Sequence, residues 1–464
     1  MFSEDVIKKV LSICHRAGAD FSEIFVEEKE TNSLRLEDSR IERASSGLDR
    51  GYGIRARFGD NTLYSFSNDF KMESIIDAAN VLVSSVNGYQ RVTMLNLGKK
   101  DVRSAINTST FLPEDIDWQD KINYLLNSDR VAREYSSEIV QVVIVYGDEI
   151  QRVLIANSRG TYAFDERIRT RFVAQAIAKR GDKVQTGYVP VAALKGLELL
   201  REKNPADIAL KAAQIAVRML DSIPAPAGKM DVVIEKGHGG TMFHEACGHG
   251  LEGDLVAKNS SVYAGKIGKK VAGDNITLID DGTLEEQWGS FGFDDEGFPA
   301  KRNVLIEDGI LIGNMYDEYY SGKNGVAQTG NGRRESYMHI PIPRMTNTYI
   351  LSGSENPENI IKETSRGVYA RFLAGGQVDP ATGDFVFGIG EGYLIEDGTL
   401  TYPVRGATIV GNGPQVLFNV DMIGNDMDFL SGICGKDGQH VPVNDGCPTI
   451  RIKDMTLGGT EVKS

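Results

Sequence analysis

The chain has 464 residues, of which 41% are hydrophobic and 25% are charged, and its formal net charge is −14. Such a composition is that of a globular protein with room for two or three domains, and the acidic field disfavours direct binding to nucleic acid. No apolar run approaches the length of a membrane span, so we expect no membrane association.

The first 100 residues predict an α+β unit. Apolar side chains at positions 6, 7, 10, 11 and 14 repeat at helical spacing, and Gly18 ends this helix. Residues 21–70 have a strand-like pattern with a turn at Gly59-Asp60-Asn61. A second helix is predicted over residues 73–86, ending near Gly88.

Residues 101–222 repeat this order of elements. We predict a helix over 116–135, two strands over 139–146 and 152–156, a hairpin from 172–178 and 184–188, and a helix over 207–220. The recurrence indicates an internal duplication, with the glycine-rich and polar residues 88–114 as a spacer. Pro224 and Pro226 then mark a linker over residues 222–228.

Residues 223–464 have a different character. A short strand is predicted at 230–234, followed by a turn at 237–240 and a helix. Asp308-Gly309 and Asp397-Gly398 each stand between apolar runs, which is a strong hairpin signal. We therefore predict an α+β fold, in which helix and antiparallel-hairpin units over 1–100 and 101–222 precede a mainly antiparallel β domain over 223–464.

The helix at the start of the third domain carries the most informative motif, His244-Glu245-Ala246-Cys247-Gly248-His249. Imidazole nitrogens bind Zn²⁺, and a nearby glutamate can take a proton from an activated water molecule. The familiar zinc helix places its histidines at i and i+4, whereas these lie at i and i+5. On a regular helix that spacing separates the side chains by about 140°. We therefore predict a π-type bulge or a helix end near Gly248, since glycine tolerates unusual backbone conformations.

Two histidines need at least one further protein ligand. The residues themselves leave six candidates open: His238, Glu252, Asp254, Cys434, His440 and Cys447. Cys434 stands in a glycine-flanked loop, where a thiolate can approach a metal closely. Cys447 and Cys14 fit the alternative role of small buried hydrophobic residues.

Residues 244–254, with the sequence HEACGHGLEGD, resemble the signature of the TldD/PmbA family of metallopeptidases, in its catalytic TldD branch. The resemblance extends through the C-terminal half, and its further elements lie at residues 294–299, 329–337, 341–347, 379–385, 411–414 and 434–439. Together these elements are highly specific.

The resemblance implies one zinc ion per catalytic subunit, with His244, His249 and Cys434 as ligands and Glu245 as the general base. It also implies a cytoplasmic homodimer, or a heterodimer with a related sibling subunit, that acts on peptides or unfolded polypeptide segments. The acidic start of the chain is consistent with a cytoplasmic protein, because it is not a signal peptide.

Several other residues receive weaker predictions. Arg333, Arg344 and Tyr337 are candidate substrate-binding residues, because guanidinium forks bind carboxylates and a tyrosine can stabilise an oxyanion. Asp294-Asp295-Glu296 is interpreted as a solvated turn. Two alternative functions stay open: a non-catalytic regulatory subunit with structural zinc, as in a gyrase modulator, and a metal-dependent amidase acting on non-peptide substrates.

Overall fold

The computed structural model describes residues 2–84, 86, 97–100 and 109–460. Its fold is mixed α and β with mainly antiparallel sheets, as predicted from the sequence. No helix in the described ranges is long and apolar enough to cross a membrane.

The N-terminal half contains helices and strands in two similar series. In chain order they are α1 (Glu4–Arg16), β1 (Phe21–Glu37), β2 (Arg40–Phe58), β3 (Asn61–Ser67), α2 (Met72–Val83), β4 (Gly98–Lys100), α3 (Trp118–Glu134), β5 (Ile139–Asn157), β6 (Thr161–Arg180), β7 (Lys183–Ala193), α4 (Glu198–Glu202) and α5 (Pro205–Met219), with a 3₁₀ turn at Pro113–Asp115. Each series therefore has a helix, a three-stranded antiparallel meander and a further helix, which is the recurrence predicted from the sequence.

The two series share one seven-stranded sheet. Strand β1 pairs with β5 in antiparallel register, which gives the order β3-β2-β1-β5-β6, and both β4 and β7 pair with β6. One apolar core lies beneath α1 and α2, and a second lies beneath α3 and α5. The helix α2 ends at Val83, and Gly88 and most of the predicted spacer lie outside the described residues.

Strand β5 corrects the sequence-based prediction of two strands, because it runs unbroken through residues 139–157. In the gap between the two predicted strands, Gly147 and Asp148 pair with Ser33 and Asn32 of β1. Asp148 is buried and accepts a hydrogen bond from Lys121 at 3.0 Å. Polar side chains that are satisfied inside a sheet do not end a strand.

The C-terminal half contains the helices and strands β8 (Ile223–Pro224), β9 (Gly228–Ile234), α6 (His238–Phe243), α7 (Gly253–Ala257), β10 (Leu278–Asp281), β11 (Arg302–Glu307), β12 (Ile310–Leu311), α8 (Glu318–Asn324), β13 (Gly332–Arg333), β14 (Ile342–Pro343), β15 (Asn347–Ile350), α9 (Pro357–Lys362), β16 (Arg366–Val378), β17 (Asp384–Glu396), β18 (Thr399–Arg405), β19 (Ala407–Asn412), α10 (Gly413–Asn419), β20 (Val420–Ile423), β21 (Asp428–Lys436), β22 (Gln439–Cys447) and β23 (Ile450–Gly458). The hairpins predicted at Asp308-Gly309 and Asp397-Gly398 are confirmed, and they join β11 to β12 and β17 to β18. The predicted linker contributes β8, which pairs with β18.

Two large sheets organise this half. One has the order β12-β11-β10-β15-β22-β21. In the other, β16 pairs with both β9 and β17, so that the path β16-β9-β23-β19-β17 closes into a ring. The segment from α6 to α7 packs with both sheets in the largest apolar core of the described residues. The motif helix is thereby held rigidly between them.

Candidate metal centre

The motif helix changes its hydrogen-bond pattern at the histidines. After α6, residues His244–Gly248 form a π-helical turn, and residues His249–Leu251 form a 3₁₀ turn. The backbone N–H of His249 donates to the carbonyl of His244, five residues earlier. This confirms the predicted irregularity, and it brings the two imidazole rings to a centroid separation of 5.0 Å.

Gly248 has a different role from the one inferred from the sequence. Its φ of −56° and ψ of −52° are ordinary helical values, so the backbone conformation does not require glycine. A Cβ atom at this position would instead overlap the sulfur of Met345, which is fully buried. The residue allows a close approach between the motif helix and the segment that leads into β15.

Three buried side chains meet at the π-helical turn. The Nε2 atom of His244 lies 3.2 Å from Sγ of Cys434, and Nε2 of His249 lies 3.5 Å from the same sulfur. All three atoms lie within 4.8 Å of one another. Cys434 comes from β21, whose pairing with β22 places it opposite Val441. The antiparallel hairpin therefore delivers a thiol to a helix that precedes it by 185 residues.

The chemistry of this donor set fits a zinc ion. Burial alone would raise the pKa of the Cys434 thiol, but the adjacent His244 and His249 lower that pKa to about 5. The thiolate is the form that binds metals, and a mixed set of imidazole and thiolate donors suits Zn²⁺. Two nitrogens and one sulfur would leave a further coordination position for a ligand.

Carboxylates lie beside the outer nitrogens of both histidines. Nδ1 of His249 lies 2.9 Å from Oε2 of Glu252, and Nδ1 of His244 lies 2.8 Å from Oδ1 of Asp445. The latter contact has the distance of an ion pair without the angle of a hydrogen bond. Such partners orient imidazole ligands, with the Nε2 atoms turned toward the metal position. The role of Asp445 was not predicted from the sequence, because Asp445 lies on β22, far from the motif helix along the chain.

A lysine extends this arrangement behind His249. Nζ of Lys436 lies 3.0 Å from Oε2 of Glu252 and 2.6 Å from Oδ1 of Asp254. These contacts turn two of the candidate third ligands, Glu252 and Asp254, away from the thiolate and toward the lysine. Lys436 lies two residues after Cys434 on β21, so one strand contributes both the thiol and the cation.

Glu245 faces a cavity next to the three donors. Its Oε2 atom lies 3.8 Å from Nε2 of His249, and its side chain is 26% exposed. Burial raises the pKa of the Glu245 carboxyl, while the nearby histidines oppose that shift. A carboxylate with a raised pKa is a better proton acceptor near neutral pH than an ordinary surface glutamate.

The cavity has a volume of about 780 Å³ and lies between the N-terminal sheet and the C-terminal half. One wall comes from β6, β7 and α5. The opposite wall comes from β16, β17, β21 and β22 together with the motif helix, including His244, Glu245 and Cys434. A volume of this size suits a ligand such as a short peptide segment.

The remaining third-ligand candidates lie elsewhere. The ring of His238 contacts Phe372 edge to face at a centroid distance of 5.1 Å. The thiol of Cys447 is fully buried and donates to the Pro448 carbonyl at 3.0 Å. Nδ1 of His440, an exposed side chain, lies 3.3 Å from Glu335.

The candidate substrate-binding residues are absent from the described lining of the cavity. Arg344 is fully buried and donates to the carbonyl of Cys434 at 2.6 Å. Arg333 donates to the carbonyls of Met345 and Pro442, at 2.5 and 2.7 Å. The backbone N–H of Tyr337 donates to Glu27. A substrate role for the three residues stays a prediction, and their observed contacts hold the protein together around the site.

The acidic segment Asp294-Asp295-Glu296 is not a solvated turn, because all three residues are buried. Asp295 lies 2.8 Å from Nη1 of Arg167 on β6, and Glu296 lies 2.7 Å from Nη2 of Arg55 on β2. Buried carboxylates need such partners. These ion pairs join the N-terminal sheet to the C-terminal half.

The chain thus holds a candidate metal centre, made of two imidazoles and a thiolate, beside a cavity between its N-terminal and C-terminal halves. Three family models match it: domain 1 of the PmbA/TldA metallopeptidases over residues 22–86, the central domain over 111–220 and the C-terminal domain over 227–459. These ranges fall within the three domains predicted from the sequence.

Curated relatives cover almost the whole chain. A protein of Haemophilus influenzae named a metalloprotease TldD homolog is 37% identical over 99% of this chain and 97% of its own. A protein of Saccharolobus solfataricus named a zinc metalloprotease TldD homolog is 28% identical over 97% of this chain and 99% of its own. The chain belongs to the PmbA/TldD family of metallopeptidases.

Solved structures share the fold at low sequence identity. A putative modulator of a DNA gyrase from Thermotoga maritima superposes with a TM-score of 0.81 at 22% identity, covering 98% of this chain and 100% of that one. TldE from Thermococcus kodakarensis has a TM-score of 0.77 at 21% identity, with coverage of 98% and 100%.

Proposed function

We propose that the protein is a zinc-dependent peptidase that hydrolyses peptides or unfolded polypeptide segments in the cavity between its two halves. The observation that carries the proposal is the convergence of the His244, His249 and Cys434 donor atoms within 4.8 Å, beside a carboxylate that faces this cavity. A purely structural zinc site needs neither a cavity nor a base.

His244, His249 and Cys434 would hold the ion, one per chain. Zinc in such a site supplies Lewis acidity, which polarises a peptide carbonyl and lowers the pKa of water. Glu252 and Asp445 orient the two imidazoles from behind, and Lys436 fixes Glu252 through a contact of 3.0 Å.

Glu245 is the proposed general base. It accepts a proton from the attacking water molecule and returns that proton to the leaving amine. Its raised pKa suits the first of these steps, since the carboxylate binds the proton more firmly than an exposed glutamate does.

Metal analysis and peptide hydrolysis on the same preparation test this function. We expect one zinc per chain, cleavage of an unfolded peptide, loss of cleavage with a chelator and its return when zinc is added. Zinc binding without cleavage of any peptide or non-peptide amide would favour the regulatory alternative. Cleavage confined to non-peptide amides would favour the amidase.

The proposed quaternary state is a homodimer or a heterodimer with a related sibling subunit. Light scattering of the purified chain gives its molar mass in solution and so tests for the homodimer. Co-purification with a co-expressed sibling measures the second, and a monomer under both conditions would contradict the proposal.

A further inference from the structure

One face of β6 carries arginines at every second position. Arg167, Arg169 and Arg171 point to the same side of the sheet, because side chains alternate along a strand. The first two are buried against the segment that precedes β11. Arg167 donates to the carbonyl of Phe293 at 2.7 Å, and Arg169 donates to that of Trp288 at 3.3 Å.

The neighbouring strand supplies acceptors for these two arginines. On β5, Gln151 lies opposite Arg167 and Glu149 lies opposite Arg169. The Gln151 side chain accepts from Arg167 at 3.4 Å, and that of Glu149 accepts from Arg169 at 3.3 Å. The strand pairing thereby matches each guanidinium with an acceptor.

Arg171 has no such match. Gly147 lies opposite it on β5, and Ala192 lies opposite it on β7. Neither side chain can accept a hydrogen bond, and within the described ranges no atom accepts one from the Arg171 guanidinium. Arg171 is exposed, and it lines the same cavity as His244, Glu245 and Cys434.

Two other charged groups of the cavity lining have hydrogen-bond partners within the protein. Arg405 donates to the carbonyl of Ser222. Glu391 accepts from Tyr393 at 2.7 Å and lies 3.3 Å from Arg371. Arg171 therefore contributes to the cavity wall a guanidinium that has neither a carboxylate nor a carbonyl partner among the described residues, whereas Arg405 has a carbonyl partner.

We propose that Arg171 binds a carboxylate of the substrate and so sets a preference for peptides that carry one near the cleaved bond. A guanidinium fork pairs with a carboxylate through two parallel hydrogen bonds. The carboxylate comes from the peptide C-terminus or from an aspartate or glutamate side chain. This inference rests on the proposed peptidase function.

Binding to an inactive variant tests the inference without turnover. We would load Glu245→Gln with zinc and titrate it by calorimetry with three short peptides: one with a single glutamate and a free C-terminus, its C-terminal amide, and its Gln-for-Glu analogue. The same titrations on Glu245→Gln/Arg171→Gln should give a Kd about tenfold higher for the first peptide, as expected for loss of a charge-assisted pair. The peptide that lacks the recognised carboxylate should have the same Kd for Glu245→Gln and for Glu245→Gln/Arg171→Gln. This comparison shows whether the recognised carboxylate is the C-terminus or the glutamate side chain.

Two further variants separate binding from general charge effects. Lys179→Gln removes the same charge from an exposed position on β6 outside the cavity lining, and it should leave all three Kd values unchanged. Arg171→Lys keeps the charge without the fork, and it should recover part of the affinity.

The outcomes for Arg171 and for the peptidase function are distinguishable. Equal Kd values with and without Arg171, or no binding of any peptide by Glu245→Gln, would overturn the Arg171 inference. Failure of the zinc-loaded wild type to cleave any peptide that it binds would overturn the peptidase proposal and leave the binding result standing. If the Arg171 inference and the peptidase proposal both hold, Arg171→Gln should lower kcat/KM about tenfold for the carboxylate peptide and abolish the discrimination between the peptides.

Discussion

His244 and His249 are oriented from opposite directions, although one turn of helix carries both. Glu252 reaches His249 from the next turn of the same segment, at 2.9 Å, whereas Asp445 reaches His244 from β22, at 2.8 Å. The two partners together fix the planes of both rings. The positions of the candidate donor atoms thus depend on residues outside the donor set.

Glu245→Gln should retain zinc and lose at least about a hundredfold in kcat, because the amide cannot accept the proton that a general base must take. The measurement is kcat on an unfolded peptide, with zinc content determined on the same preparation. A variant that turns over at the wild-type rate would remove Glu245 from the mechanism.

Cys434→Ala should lose zinc, because only the two imidazoles of the donor set remain. Cys14→Ala is the matched control, since Cys14 is equally buried but lies on α1. Zinc content after dialysis against a mild chelator compares the two variants. If Cys434→Ala kept its full zinc content, Cys434 would not be a ligand of the ion.

At the scale of single elements, the π-helical turn is the feature that makes the i and i+5 spacing work. The motif helix lies close to Met345 at this turn, and Gly248 permits that contact. The turn was predictable from the sequence, because two histidines five residues apart cannot meet on a regular helix. The reason for Gly248 was not, since Met345 lies far away in the sequence.

Gly248→Ala should destabilise the protein by about 1–3 kcal/mol, the usual cost of overpacking a core. Gly322→Ala is the control, because Gly322 lies on the exposed side of α8 with open space around it. That change should leave stability unchanged or raise it by up to about 1 kcal/mol, through helix propensity. The free energy of unfolding in denaturant measures both, and equal values for the two variants would contradict the packing argument.

Helix α8 offers a prediction about pH. Asp317 caps this helix by accepting from the N–H of Tyr320 at 2.8 Å, and burial together with the charge of Glu296 raises its pKa well above the ordinary value. When folding raises the pKa of a carboxyl, the folded state binds its proton more tightly than the unfolded state does. The contribution of this group to the free energy of unfolding therefore falls as the pH rises from the unfolded pKa of about 4 toward the folded pKa.

Asp317→Asn keeps a capping oxygen but cannot ionise. The difference in unfolding free energy, variant minus wild type, should therefore increase between pH 4 and pH 7. Denaturant titrations across this range measure it, and a constant difference would show that Asp317 does not carry the effect.

At the scale of the whole molecule, buried ion pairs connect the two halves that form the cavity. Asp295 lies 2.8 Å from Arg167 and accepts from the backbone N–H of Arg334 at 2.9 Å. Arg334 in turn lies against Glu23 of β1. The relative position of the cavity walls therefore depends on charges that water does not reach.

Asp295→Ala should destabilise the protein by about 1–3 kcal/mol, because it removes one of the two carboxylates that pair with the buried Arg167 and leaves the backbone N–H of Arg334 without its acceptor. Asp182→Ala, in the exposed turn between β6 and β7, should change stability by no more than about 0.5 kcal/mol. Thermal and denaturant unfolding of the two variants provide the measurement. A loss at Asp295 as small as that at Asp182 would contradict the structural role of the pair.

The sequence predicted those features that depend on near neighbours. Helical spacing predicted α1, Asp-Gly pairs predicted two hairpins, and the spacing of His244 and His249 predicted the π-helical turn. Features that depend on partners distant in the sequence were not predicted. Asp294-Asp295-Glu296 has the composition of a surface turn, and only the arginines of β2 and β6 show that it is buried. Cys434 was favoured through resemblance to a family, because spacing alone did not separate it from five other candidates.

The separation of 185 positions between His249 and Cys434 in the sequence has a consequence for the newly made protein. A ribosome adds roughly 5–20 residues per second, so the histidine pair is synthesised on the order of 10–40 s before the thiol that completes the set. During that interval Cys434 and the strand that presents it do not yet exist. If the protein is the peptidase proposed above, it is inactive during the interval in which its own unfolded chain is the nearest potential substrate.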